Sequence, residues 1–170
     1  FFIKVFMEER EGVFNFFIDK SKSMDYGKDN KKNTALKIVA ALSYIALNNL
    51  DRVNISTMND GSLENIKTST GNRGFQKILM DLEKIKFDGT TDLSSSIKKR
   101  PLSMRGISIV VSDFLNNEGL ESLEDGLKYL AYKKKEIILV QVLCDEEINP
   151  DFNNEITLID SETGENIKLS

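Results

Sequence analysis

The stretch Asp19-Lys-Ser21-Lys-Ser23 puts oxygen-bearing side chains at alternate positions directly after an apolar run, Val13 to Ile18. In extended or loosely turned backbone, residues i, i+2 and i+4 point the same way. One carboxylate and two hydroxyls can therefore converge on a single ion while Lys20 and Lys22 point elsewhere. A second apolar run, "ISIVVS" at 107–112, also ends on an aspartate, Asp113, and "GTTDL" at 89–93 offers Thr90, Thr91 and Asp92 as further oxygen donors. Two carboxylates with three hydroxyls form an all-oxygen, hard-ligand set. Such a set suits magnesium or manganese in octahedral geometry with several waters retained.

The composition narrows the alternatives. There is no histidine, which removes imidazole acid/base catalysis, histidine-activated nucleophiles and histidine metal ligation together. The single cysteine, Cys144, rules out an internal disulfide and a thiolate zinc cluster, and fits a reducing compartment. A net charge of -4 and a pI near 5.1 argue against a surface built to coat nucleic acid or an anionic membrane. The longest apolar stretch, Ile38 to Leu47, is shorter than the roughly 18 residues that a bilayer span needs. A cytoplasmic, single-domain protein over residues 1–170 is the expectation. Because numbering starts inside an apolar run, the chain reads as a domain excised from a longer protein, with room for a membrane anchor upstream.

To bring these residues together, the chain must place Asp19 and Asp113 at the same edge of one sheet. Four near-continuous apolar runs read as strands buried on both faces: 13–18, 52–58, 107–112 and 136–143. "FFIKVFMEE" and "SLENIKTS" read as two further strands, one of them an edge. Phe75, Ile78, Leu79 and Leu82 mark one helix face, residues 34–49 a helix apolar almost all round, and Leu120, Leu123, Leu127 and Leu130 another helix. This alternation predicts a doubly wound, mostly parallel α/β sheet with helices on both faces, closed by a C-terminal β-hairpin turning near Gly164. In such sheets ligands bind outside the carboxyl ends of the strands, at the topological switch point.

Asp19-x-Ser21-x-Ser23, Thr91 in "GTTDL" and Asp113 in "VVSDF" resemble, in order and interval, the metal-ion-dependent adhesion site of von Willebrand factor A domains. Over nearly the whole chain, "FFIKVFMEEREGVFNFFIDKSKSMDYG", "KNTALKIVAALSYIALNNLDRV", "GTTDL", "VVSDFL" and "ILVQVLCDEEINP" with "ITLIDSETGE" resemble the bacterial domain of unknown function 58 family. The resemblance implies that Ser21 and Ser23 bind the metal directly and Thr91 directly or through water. It implies that Asp19 and Asp113 hold coordinating waters or bind directly, with one coordination position open to a partner's carboxylate. Thr91, not Thr90, fits the family's G-x-T step. Phe114 departs from the broader group, where a glycine commonly follows the aspartate, and Lys20 and Lys22 are less usual.

The function expected is a metal-dependent protein-interaction module rather than an enzyme, using Mg2+ or Mn2+ to bind a carboxylate of a protein partner. The family resemblance points to MoxR-type AAA+ ATPases or their clients as partners. The rival is a magnesium-dependent phosphoryl-transfer or hydrolytic enzyme using the same carboxylates. It lacks a phosphate loop, a dinucleotide fingerprint and the Asp-x-Asp start of haloacid-dehalogenase-like phosphatases. A third reading is a structural domain whose site has lost its ion. For single residues plainer roles stand beside these: Asp113 as a cap of the next helix, Asp92 as the cap of "LSSSIKK", and Cys144 as a packed, inert side chain. The charge runs "KDNKK" (28–32), "KKK" (133–135) and "DEE" (145–147) are expected to be solvated.

Overall fold

The computed structural model describes residues 11–28, 30–90, 92–99, 106–115, 119–132, 136–150, 156–159 and 166–169, with backbone alone described for 119–122, 156–159 and 166–169. Strand β1 (Val13–Asp19) is central, because its phenylalanines and isoleucine are covered on both faces. Helix α1 (Lys31–Asn48) carries the chain back to β2 (Arg52–Asn59), which pairs parallel to β1 with Asp19 opposite Met58. A tight turn leads to β3 (Ser62–Thr70), antiparallel to β2. Helices α2 (Phe75–Leu82) and α3 (Leu93–Lys98) precede β4 (Ile107–Ser112), which returns to the other side of β1, parallel, with Ile18 opposite Val111. Helix α4 (Gly119–Tyr132), strand β5 (Ile137–Gln141) and the single-turn helix α5 (Asp145–Ile148) follow.

The sheet order is β3-β2-β1-β4-β5. Alternation along each buried strand builds two cores. Phe16, Ile18, Val53, Ile55, Ile109 and Val111 face Ala35, Val39, Ala46 and Leu47 of α1 and Ile78 and Leu82 of α2. On the opposite face Phe17, Met58 and Val110 pack with Leu93 and Ile97 of α3 and Leu130 of α4. This is the doubly wound architecture that the alternating strand and helix patterns predict. "SLENIKTS" is the edge strand. The hairpin strands β6 (Ile156–Ile159) and β7 (Asn166–Leu169) pair antiparallel, while the expected turn at Gly164 and the expected strand at 1–9 lie outside the described residues.

One strand differs from expectation. The apolar run at 136–143 predicts a strand buried on both faces, yet β5 stands at the end of the five-stranded sheet and leaves Ile138 and Leu139 nearly half exposed. A continuous apolar run reports β propensity and says little about which strand lies outermost.

Candidate metal centre

Strands β1 and β4 are neighbours from which the chain departs to opposite sides of the sheet. Their carboxyl ends therefore flank the switch point. Asp19 ends β1 and Asp113 directly follows β4; both are buried, along with Ser21. After Asp19 the chain makes one 3-10 turn, Lys22–Met24, whose fully buried Met24 anchors the loop in the first core. This turn brings the Ser21 and Ser23 hydroxyls to 3.0 Å from each other. That separation serves as a hydrogen bond, and it also matches the edge, about 3.0 Å, of an octahedron whose oxygens lie about 2.1 Å from a magnesium ion.

Asp19 accepts two hydrogen bonds from neutral groups: Ser21 N gives one to Oδ1 (2.9 Å) and Ser112 Oγ one to Oδ2 (2.6 Å). Burial pushes its carboxyl pKa above the ordinary value. The hydrogen bonds from Ser112 and Ser21 pull the other way without cancelling the rise, and the charge of Asp113 adds to it. Ser112 was not singled out from the sequence, although the pairing of Ile18 with Val111 puts the next residues, Asp19 and Ser112, side by side.

Asp113 is in a different state. Its Oδ1 accepts from Leu115 N (3.0 Å), and its Oδ2 takes the ammonium of Lys31 at 2.7 Å. Lys31 also donates to Glu147 Oε1 at 2.5 Å, while Glu147 Oε2 accepts from Cys144 N (3.0 Å). Burial alone would lower the Lys31 pKa, but the hydrogen bonds to Asp113 and Glu147 carry it above the ordinary value. The "KDNKK" and "DEE" runs are thus not wholly solvated: Lys31 is 2% exposed, and Glu147 is its partly buried partner. The legible signal was periodic, since the buried stripe of α1 runs Lys31, Ala35, Val39, Ser43, Ala46 and Leu47. Asp113 is not a helix cap, because α4 begins six residues later, at Gly119.

The third loop is laced to the first. Asp88 N donates to Lys20 O (2.8 Å) and Lys22 N to Gly89 O (3.1 Å). Gly89 has φ +76, and a Cβ there would come within 2.6 Å of Asn59 Oδ1, so the close approach requires glycine. Thr90 is turned to Asp60, giving it hydrogen bonds from N (2.9 Å) and Oγ1 (2.6 Å). The Thr90 hydroxyl holds the Asp60 carboxyl below its ordinary pKa. Asp92 caps α3 through Ser95 N (2.8 Å), as expected. Thr91, the residue favoured for the metal, lies outside the described residues.

Phe114 adopts φ +56, a left-handed conformation that glycine takes without strain, and it packs against the second core. The departure from the glycine of the broader group thus keeps the glycine-type backbone. Lys20 points away from the site toward Glu64 (3.6 Å). Cys144 is buried, and burial raises its thiol pKa, as suits a packed side chain.

The donor set fits a hard divalent ion. Asp19 and Asp113 are buried at neighbouring strand ends, two hydroxyls already converge beside Asp19, and Asp113 keeps lone pairs for a coordinated water. Among the described residues no three acidic or thiol side chains are grouped to hold a metal, so an ion here would depend on the hydroxyls.

The strand order, the antiparallel β3 and the loops gathered at the switch point give a von Willebrand factor A-like α/β fold. The chain belongs to the family described as "Protein of unknown function DUF58", whose model matches residues 1–170. Its fold is similar to that of manganese-loaded TRAP from Plasmodium vivax, with TM-score 0.58 and 11% identity over 82% of this chain and 61% of that one. It is also similar to proximal thread matrix protein 1 of the mussel byssus, with TM-score 0.56 and 13% identity over 76% of this chain and 37% of that one. The VWA domain of SpRpn10 aligns with TM-score 0.49 and 14% identity over 79% of this chain and 90% of that one. This chain therefore spans less than two thirds of the TRAP and byssus chains. No curated protein matches the sequence. Among the described residues no helix is long and apolar enough to cross a membrane.

Proposed function

We propose that this domain is a divalent-metal-dependent protein-interaction module of the cytoplasm. Asp19, Ser21, Ser23, Thr91 and Asp113 would hold Mg2+ or Mn2+, and a carboxylate of a partner protein would complete the site. When bound, the ion supplies a Lewis-acidic position for that carboxylate. The observation that carries the reading is the 3.0 Å convergence of the Ser21 and Ser23 hydroxyls beside the buried Asp19 at the switch point. Neutral hydroxyls leave a bound cation more of its positive character than carboxylates would, which favours capture of an external acid over turnover. The partner class is a MoxR-type AAA+ ATPase system, to which the family resemblance points.

Affinity capture from cell extract tests this with wild type, with Ser21→Ala/Thr91→Ala, and with wild type in excess chelator. A partner retained by wild type and lost in the other two arms supports the reading. Equal retention in all three contradicts it.

A further inference from the structure

Lys31 is the charged member of the buried stripe on α1, and its side chain and that of Asp113 are 1% and 2% exposed. A lysine is brought into such a place only when carboxylates compensate it. Both are supplied from distant parts of the chain: Asp113 after β4 and Glu147 from α5. The ammonium has three protons and no lone pair, so it cannot ligate an ion. It can only compete with one for the same carboxylate oxygen.

We propose that Lys31 is the resident counter-cation of the metal centre: it neutralises Asp113 in the metal-free protein and opposes entry of a divalent ion, thereby setting the affinity of the site. This rests on the metal-dependent reading above. Glu147 tempers the effect by sharing the ammonium, anchored as it is through its second oxygen to Cys144 N. The two residues touch each other, yet their charges act on the ion with opposite sign. A merely structural role would instead make either substitution loosen the same contact and weaken binding.

Manganese binding, followed by the loss of the free-ion paramagnetic resonance signal on titration, separates these cases. Lys31→Met should bind Mn2+ about tenfold more tightly than wild type, and Glu147→Gln about threefold more weakly. Lys31→Arg, which keeps the charge, should stay close to wild type. Lys31→Met/Glu147→Met removes the pair together and guards against misfolding of the single variant; it too should bind more tightly, because Asp113 is released. Lys31→Met and the double variant binding no more tightly than wild type would overturn the proposal. If wild type binds and Asp19→Asn does not while the Lys31 variants are unchanged, only this proposal falls. If no protein binds Mn2+ at millimolar concentration, the metal reading falls and takes the proposal with it.

Discussion

The two carboxylates at the switch point end neighbouring parallel strands, follow similar apolar runs and are equally buried, yet they are stabilised in opposite ways. Asp113 has a lysine ammonium at 2.7 Å. Asp19 has the Ser21 amide and the Ser112 hydroxyl, and its carboxyl pKa is raised by burial despite them. At one strand end a buried ammonium meets the carboxylate, and at the other the hydrogen bonds from an amide and a hydroxyl do not offset burial. Burial of an aspartate at a strand end is therefore not itself the mark of a metal ligand. What distinguishes the two is that Asp113 meets the Lys31 ammonium, whereas at Asp19 burial outweighs the hydrogen bonds from Ser112 and Ser21.

Breaking the Asp113 end should have the largest effect. Lys31→Met leaves Asp113 and Glu147 without their cation and should cost about 3 kcal/mol of metal-free stability in urea unfolding. A loss below about 1 kcal/mol would mean that the ammonium contributes little to holding Asp113. Relieving the Asp19 end should act oppositely. Asp19→Asn keeps the shape and removes the buried charge, so the metal-free protein should gain about 1 kcal/mol at neutral pH.

The pH profiles sharpen the contrast. Because the folded pKa of Asp19 is raised, its contribution is most favourable below the ordinary 3.8 and is lost as pH rises through the folded value. The advantage of Asp19→Asn should accordingly shrink toward nil in acid and be full at neutral pH. Lys31 also has a raised folded pKa, but from 10.5, so its contribution is complete below that value and is lost only as pH rises through the folded one. The Lys31→Met deficit should stay flat between about pH 6 and 9. Parallel profiles for the two variants would erase the distinction.

Asp92 provides a third carboxylate beside the site, committed to a helix end. Asp92→Ala should cost about 1 kcal/mol in thermal unfolding, the usual cost of a lost cap, with no gain at any pH. Smallest is Lys20→Ala, since the Lys20 to Glu64 pair is 3.6 Å long and Glu64 is mostly exposed; a change within about 0.5 kcal/mol is expected. A larger loss, insensitive to salt, would place Lys20 among the structural charges.

The Asp113 end was the harder one to read. Apolar runs and helical spacing suffice for the sheet, its two covered faces and the strand ends that bear Asp19 and Asp113, because burial dictates those patterns locally. The Asp92 cap is likewise local. Lys31 is not: its partners lie 82 and 116 residues away, and a lysine in "KDNKKNT" resembles any solvated charge until it is placed on the stripe with Ala35 and Val39. The exposure of β5 was hidden for a similar reason, since strand order is a long-range property. Ser112 was legible in principle through strand register, which a single sequence leaves unspecified until the neighbours of β1 are known.

Manganese titration of wild type beside Asp19→Asn and Ser21→Ala/Ser23→Ala tests the central claim most directly. One ion per chain, displaced by magnesium and lost in both variants, is the predicted result. Binding that survives both variants, or a preference for zinc beyond the ordinary divalent series, would contradict an oxygen-ligated centre at the end of β1.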